Sequence, residues 1–182
     1  MSRANPIPAS NTVPPRSIRR IVVHCSASPN GRVVTPADID RWHKLRGFKR
    51  DRTLIGYNAP SLLHIGYHYV IEALGPVTAC RGEREPGAHV AGFNRDSIGI
   101  CMVGTDAFSQ AQWDSLKGLV NGLQSRLGKI PVCGHRDLSP DQDRDGIVEP
   151  HEWLKTCPGF DVASWLADDK KPPKGHILGV EP

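Results

Sequence analysis

Two histidines and one cysteine have the side chains of zinc ligands and occupy positions where a fold could bring them together. His24 and His135 each follow an apolar, strand-like run and precede a polar loop, whereas Cys157 lies in a polar context. Functional sites in α/β sheets collect at the ends of strands. Each histidine alone is more often structural, but the three residues together favour an open zinc site. Three protein ligands leave one tetrahedral position for a water that the ion acidifies.

A second candidate metal site is the acidic segment 141–152, which has the spacing of an EF-hand calcium loop. Acidic residues occupy loop positions 1, 3, 5 and 12, and glycine occupies position 6. The predicted calcium ligands are the side chains of Asp141, Asp143, Asp145 and Glu152 and the carbonyl group of Ile147. The alternative is a solvated loop held by Asp side-chain turns. The helix expected before an EF-hand loop is missing from the sequence.

Strand-like runs must position these residues. The predicted strands cover residues 18–24, 65–72, 97–103 and 130–134, with a short strand ending near residue 80. The run 97–103 is nearly all apolar, which predicts a central strand. Alternation along 65–72 predicts that Tyr67, Tyr69 and Ile71 face one side of the sheet.

Two helix starts are visible in the sequence. Thr35 followed by Pro36 predicts a helix with Ile39, Trp42 and Leu45 on its apolar face. Ser109 and Gln112 form a capping box before a longer helix. Its apolar stripe comprises Trp113, Leu116, Val120, Leu123 and Leu127. Strands alternating with helices predict an α/β domain with a mixed central β-sheet flanked by helices.

The 182 residues fit one domain with a tail at each end. We expect a proline-rich disordered arm at 1–16, the folded domain at 17–167 and a flexible tail at 168–182. No apolar run could span a bilayer, and the first twenty residues lack the apolar core of a secretory signal. We therefore expect the protein to accumulate in the cytoplasm of the producing cell.

The charge and the cysteines exclude some classes of protein. The net charge of +4 is compatible with a polyanionic partner such as a cell envelope, and we expect no nucleic-acid partner. The five cysteines are scattered singly, so no disulfide framework is expected. Cys25, Cys101 and Cys133 lie in apolar runs and are interpreted as small buried side chains.

Six short stretches resemble one enzyme family. They are Val-His-Cys-Ser-Ala (23–27), Arg-Trp-His-Lys (41–44), Gly-Tyr-His-Tyr (66–69), His-Val-Ala-Gly-Phe-Asn (89–94), Ser-Ile-Gly-Ile (97–100) and Lys-Thr-Cys-Pro (155–158). Over residues 18–166 the chain resembles the type 2 N-acetylmuramoyl-L-alanine amidases, phage lysozyme-like enzymes related to peptidoglycan recognition proteins. It departs from the shortest members at the loop 48–64 and in the acidic segment.

The resemblance implies zinc on the same two histidines and cysteine, and catalytic roles for Tyr67 and Lys155. Attack on an amide builds an oxyanion, which a phenol or a cation aimed at it stabilises. Tyr67 could also move a proton to or from the attacking water. Without the resemblance, Tyr67 would be interpreted as a core tyrosine and Lys155 as a surface lysine.

The resemblance also places His89 and Asn94 in a loop that lines the substrate groove, although packing within that loop is an alternative role for both. His68 is interpreted as structural and His43 as a packing or surface residue.

The function predicted from these features is zinc-dependent cleavage of the amide between N-acetylmuramic acid and L-alanine in peptidoglycan. We expect a monomeric phage endolysin that acts on the cell wall after release. The alternatives are a bacterial autolysin or wall-recycling amidase, and a non-catalytic peptidoglycan-binding module. The complete zinc set argues against the last, and a zinc protease is disfavoured because no His-Glu-x-x-His helix is present.

Overall fold

A computed structural model describes residues 16–56 and 58–179. Its strands are β1 (Arg20–Cys25), β2 (Tyr69–Ile71), β3 (Val77–Ala79), β4 (Ser97–Met102) and β5 (Val132–Gly134). Its α-helices are α1 (Pro36–Leu45), α2 (Gln110–Leu127) and α3 (Val162–Ala167), with 3₁₀ turns at Arg136–Leu138 and Pro150–Glu152. The predicted mixed sheet flanked by helices is confirmed.

The five strands form one sheet in the order β3-β2-β4-β1-β5. Strand β1 is parallel to β4 and β5, β4 is parallel to β2, and only β3 runs antiparallel. All residues of β4 are buried, as its apolar sequence predicts for a central strand. Because β1 and β5 are parallel neighbours, the residues at their carboxyl ends meet at one edge of the sheet.

Apolar side chains cover both faces of the sheet. On one face the core contains Ile21, Val23, Ile98 and Ile100 packed against the α2 stripe and against Phe160 and Trp165. On the other face a smaller core joins Ile39 of α1 to Val70 and Cys101, with Tyr67 packed against it. The candidate metal ligand His24 also belongs to this second face, since it alternates with Val23 along β1.

Both helix starts are confirmed. Thr35 and Asp38 cap each other's backbone at α1, and Ser109 and Gln112 do the same at α2. These signals are local, so the sequence defines them without knowledge of the tertiary fold.

The predicted apolar face of α1 is wrong. The helix buries Ile39 and His43, whereas Trp42 is 38% exposed and Leu45 is 86% exposed. Residues four apart share a helix face, and His43 is accepted in the interior because its Nδ1 receives the backbone N–H of Gly66 at 2.9 Å. The buried face is therefore partly polar.

The orientation predicted for Tyr67 is also wrong. Strand β2 begins at Tyr69, so Tyr67 precedes it and is not bound by strand alternation. Tyr69 packs against the α2 core, whereas Tyr67 packs against the second core beside Val70. This places the Tyr67 phenol on the same side as His24.

A buried ion pair organises the loop 48–64. The guanidinium of Arg50 lies 2.6 Å from the Glu85 carboxylate, and the two side chains are 0% and 2% exposed. Arg50 also donates to the carbonyl groups of Ala59 and Leu62. The loop 48–64 is one of the places where the chain departs from the shortest family members. Arg50 holds it against the rest of the domain near its start at Phe48.

The first and last parts of the described chain form hydrogen bonds with the domain. Residues 1–15 of the predicted arm lie outside the described residues, and Arg16 donates to the carbonyl groups of Glu83 and Ser97. Within the segment 168–179, His176 and Leu178 form hydrogen bonds with the domain. The carbonyl of His176 receives the backbone N–H of Phe108 and the indole N–H of Trp113. Among the described residues, no helix is long and apolar enough to cross a membrane.

Candidate metal centre

The structure brings the three predicted zinc ligands together. One ligand atom from each of His24, His135 and Cys157 lies within 4.8 Å of the others. Cys157 Sγ is 3.7 Å from His24 Nδ1, and the two histidine rings have their centroids 4.7 Å apart. Tetrahedral zinc with ordinary N and S bond lengths holds such atoms roughly 3.3–3.8 Å apart. The spacing and the donor set fit a zinc ion.

Backbone hydrogen bonds between distant segments create this cluster. His24 is the penultimate residue of β1, and His135 follows β5, where its N–H donates to the carbonyl of Val23 at 3.1 Å. The N–H of Arg136 then donates to the carbonyl of Cys157 at 2.9 Å, which fixes the third ligand beside the second. The cluster is thus positioned by main-chain pairing as well as by side-chain packing.

The environment favours the neutral form of the two histidines, which is the form that binds metal. Burial lowers the pKa of His24 well below its usual value, and the charges of His135 and Lys155 lower it further. Burial, and then Lys155, lowers the pKa of His135 to about 4. Both rings are therefore neutral near pH 7 and keep a nitrogen lone pair. A hydrogen bond with the Cys25 thiol, and then burial, raise the pKa of Cys157 above its usual value, although the N–H of Cys25 donates to its Sγ at 3.2 Å. The metal-free cysteine is therefore a thiol, and a bound cation would stabilise its thiolate.

Tyr67 lies beside the cluster, as predicted for a catalytic residue. Its ring centroid is 5.1 Å from that of His24 and 5.2 Å from that of His43. Burial and the neighbouring cysteine sulfurs raise the pKa of Tyr67 well above its usual range. The phenol therefore keeps its proton near pH 7 and can act as a hydrogen-bond donor.

Lys155 is exposed at the opening of the cluster. Its ammonium group is close enough to lower the pKa of both histidine ligands by charge repulsion. It lines both cavities at the site, so a molecule bound there would meet a fixed positive charge beside the metal ligands.

Two adjoining cavities form a groove over the cluster. A cavity of about 190 Å³ is lined by the ligands His135 and Cys157 and by Tyr67, and one of about 400 Å³ continues from it. Both are lined by Phe48, Ala88, His89, His135 and Lys155. The larger cavity has apolar walls from Val90, Ala91, Leu138 and Leu154. An extended substrate can therefore lie along the groove with one bond over the cluster.

The structure places His89 and Asn94 in this groove, and it also gives both a packing role. Asn94 Oδ1 accepts the backbone N–H groups of His89 and Val90 at 2.8 and 3.0 Å, which closes the loop between them. The ring of His89 touches His24 directly, with its Nδ1 2.9 Å from His24 Nε2.

The sequence did not indicate that three residues line the smaller cavity. These residues are His43, Arg46 and Cys25. The packing role predicted for His43 and the burial predicted for Cys25 are both present, so the lining is an additional role. His43 packs its ring on Tyr67 and so supports that phenol from behind. The Arg-Trp-His-Lys stretch of the resemblance was the available signal for His43.

The acidic segment contains a second cluster. Carboxylate oxygens of Asp141, Asp143 and Glu152 lie within 4.8 Å of one another. Asp141 accepts the N–H groups of Arg144 and Gly146 within the same loop. The Asp side-chain turns of the alternative interpretation are thus present. The flanking elements are 3₁₀ turns at Arg136–Leu138 and Pro150–Glu152, not the paired helices of an EF-hand.

Sequence comparisons match one enzyme family. A family model described as N-acetylmuramoyl-L-alanine amidase matches residues 14–160. The endolysin of Enterobacteria phage T3 is 32% identical over 160 residues, covering 84% of this chain and 87% of that protein. The endolysin of Escherichia phage T7 is 32% identical over 153 residues, covering 80% and 83%.

Solved structures share the fold. The amidase LysC from Clostridium intestinale superposes with a TM-score of 0.61 at 24% identity, over 85% of both chains. Bumblebee PGRP-SA superposes with a TM-score of 0.59 at 17% identity, over 90% of this chain and 86% of that one. With the family match over most of its length, the chain belongs to the N-acetylmuramoyl-L-alanine amidase family.

Proposed function

We propose that this protein is a zinc-dependent amidase that cuts the bond between the lactyl group of N-acetylmuramic acid and L-alanine in peptidoglycan. The observation that carries the proposal is the His24–His135–Cys157 cluster at the floor of a groove, with Tyr67 and Lys155 beside it. Zinc held there would lower the pKa of a water and polarise the scissile carbonyl.

The protein's own groups supply the remaining chemistry. The groove holds the glycan–peptide junction against its apolar wall, and the neutral imidazoles and the Cys157 sulfur hold the metal. Tyr67 keeps its proton and donates a hydrogen bond where negative charge develops on the carbonyl oxygen. The ammonium of Lys155 stabilises the same charge from the exposed side of the cavity.

We assign the enzyme the role of a phage endolysin. This role rests on the relatives from phages T3 and T7, whose identity of 32% extends over four-fifths or more of each chain. A bacterial autolysin or wall-recycling amidase would use the same site. A purely binding module is disfavoured because the three ligands cluster, and two of them share one cavity with both catalytic candidates.

Mass spectrometry of digested peptidoglycan tests the proposal. Zinc-loaded protein should release stem peptides that begin with L-alanine and leave intact glycan strands with free lactyl carboxyl groups. Fragments cut between sugars or within the stem peptide would contradict it, as would an absence of cleavage by the zinc-loaded protein.

The acidic segment is proposed as a calcium site with Asp141, Asp143, Asp145, Glu152 and the Ile147 carbonyl as ligands. Its support is the EF-hand spacing and the proximity of three of the carboxylates. Glu152 stands three residues before Lys155, so ordering the loop would also steady the catalytic lysine.

A further inference from the structure

The two ring nitrogens of His24 face different partners. Nδ1 lies 3.7 Å from the sulfur of Cys157, and Nε2 lies 2.9 Å from Nδ1 of His89. His24 is 1% exposed and His89 is 9% exposed, so water has little access to this contact. A neutral imidazole carries one proton, so the partner of Nε2 decides which nitrogen of His24 can bind a metal.

The hydrogen bonds beyond His89 run in one direction. Ser97 Oγ lies 2.6 Å from the carbonyl oxygen of Phe93, which can only accept, so the hydroxyl donates to it. The hydroxyl oxygen is then free to accept from His89 Nε2 at 3.3 Å. With its proton on Nε2, His89 presents an unprotonated Nδ1 to His24. His24 must therefore donate from Nε2, which leaves its Nδ1 lone pair directed at the cluster.

The packing around His89 allows its ring little freedom. A Cβ on Gly87 would lie 2.2 Å from the ring, and a Cβ on Gly99 would lie 2.6 Å from it. The neighbouring ring of His68 meets it edge-on at 5.7 Å. Ser97 and Gly99 are the first and third residues of the Ser-Ile-Gly-Ile stretch. Both therefore have a physical role in holding His89.

We propose that His89 is a positioning residue for the metal centre, in addition to lining the groove. It holds His24 as the Nε2–H tautomer and fixes the plane of its ring, so that Nδ1 points at the ion. The carbonyl of Phe93 and the hydroxyl of Ser97 determine which nitrogen of His89 carries the proton, and therefore which nitrogen of His24 does. The inference rests on the proposed zinc centre. Partners of this kind change metal affinity by about 10–100-fold in metalloproteins.

Zinc affinity, measured by competition with a chromophoric chelator, is the first test, and it does not depend on activity. His89→Ala should weaken zinc binding about 10–100-fold. His89→Gln should recover most of the loss, because its amide oxygen can accept from His24 Nε2–H. Ser97→Ala, a smaller change in case His89→Ala fails to fold, should weaken binding less. His176→Gln is the matched control, since the half-buried His176 contacts Asp106 and Phe160 outside the cluster.

¹⁵N NMR of the zinc-loaded protein is the second test. His24 should show a protonated, exchange-protected Nε2 in the wild type and in His89→Gln, and faster exchange in His89→Ala. Unchanged zinc affinity with unchanged protection in His89→Ala and Ser97→Ala would overturn the inference. If His89→Ala loses peptidoglycan cleavage while zinc affinity is unchanged, His89 acts on the substrate and the proposed function stands. Failure of the wild type to bind zinc would instead overturn the proposed function itself.

Discussion

The metal centre and the acidic segment 141–152 both offer metal-binding side chains, but they are built in opposite ways. The ligands of the centre come from three separate segments and are brought together by parallel strands. The carboxylates of the segment come from one continuous loop and already accept N–H groups of that loop. The fold fixes the positions of ligands from distant segments before an ion binds. In a continuous loop, the carboxylates can accept hydrogen bonds from the loop's own N–H groups without an ion.

Burial separates the two regions as well. His24 is almost fully buried and its outer nitrogen has a defined partner, whereas Asp143 and Asp145 are exposed to water. Desolvation makes the histidines neutral, which prepares them for a metal, while water screens the repulsion among the carboxylates. We therefore expect loss of a ligand to be decisive at the centre and mild in the loop.

The largest expected effect is removal of a ligand from the centre. Cys157→Ala, His24→Ala or His135→Ala should abolish bound zinc and amidase activity together, and Cys157→Ser should also fail because an alcohol is a poorer zinc ligand than a thiolate. Metal analysis and cleavage assays measure both. Cys133→Ala, a half-buried free thiol on β5 outside the cluster, is the matched control. Full zinc content in Cys157→Ala would disprove the ligand assignment.

The next effect separates catalysis from metal binding within the centre. Tyr67→Phe and Lys155→Ala should each keep zinc and the fold but lower turnover about a hundredfold, or roughly 3 kcal/mol of transition-state stabilisation. Lys129→Ala, an exposed lysine before β5, should have no effect on turnover. Near-normal turnover in both active-site variants would show that neither group acts on the developing charge.

Acidification should weaken the metal-free protein through the buried histidines around the centre. Burial, then Arg46, lowers the pKa of His43 to about 4, and burial, then Arg16, lowers that of His68 to about 3. In the unfolded chain these two histidines bind protons near pH 6.5, whereas in the folded chain they stay neutral at that pH. Their contribution to the free energy of unfolding is therefore complete above pH 6.5 and decreases as the pH falls below it. Between pH 6.5 and 5 we expect a loss approaching 1.4 kcal/mol per pH unit for each histidine.

Denaturant unfolding across that range measures the slope. His43→Gln, which can still accept the Gly66 N–H, should reduce the slope by one proton. Equal stability at pH 6.5 and 5 would mean that these rings bind protons equally in the folded and unfolded chains.

The smallest expected effect concerns the acidic segment. Calcium should raise the melting temperature of zinc-saturated protein by binding the folded state alone, and Asp141→Ala combined with Asp145→Ala should remove the rise. Calorimetric titration measures the binding directly. No heat and no melting shift at about millimolar calcium, the weak end of the EF-hand range, would leave a loop held by its own hydrogen bonds.

The elements that the sequence predicted well depend on local interactions. The caps at Thr35 and Ser109 and the apolar run of β4 are properties of adjacent residues, and all three were confirmed. The face of α1 and the orientation of Tyr67 were predicted wrongly. In both cases the side of the element that is buried depends on what packs against it, which adjacent residues do not specify.

By itself, the sequence determined the family, the class of fold and the identity of the three candidate ligands, because side-chain chemistry and short motifs depend only on residue types and their order. The tertiary structure alone decided which nitrogen of His24 faces the cluster, that His89 occupies the other, and that His43 supports Tyr67. His24 and Cys157 are 133 residues apart, so their geometry exists only after the strands have paired. Hydrogen-bond direction depends on distances of a few tenths of an ångström, and only packing can set them.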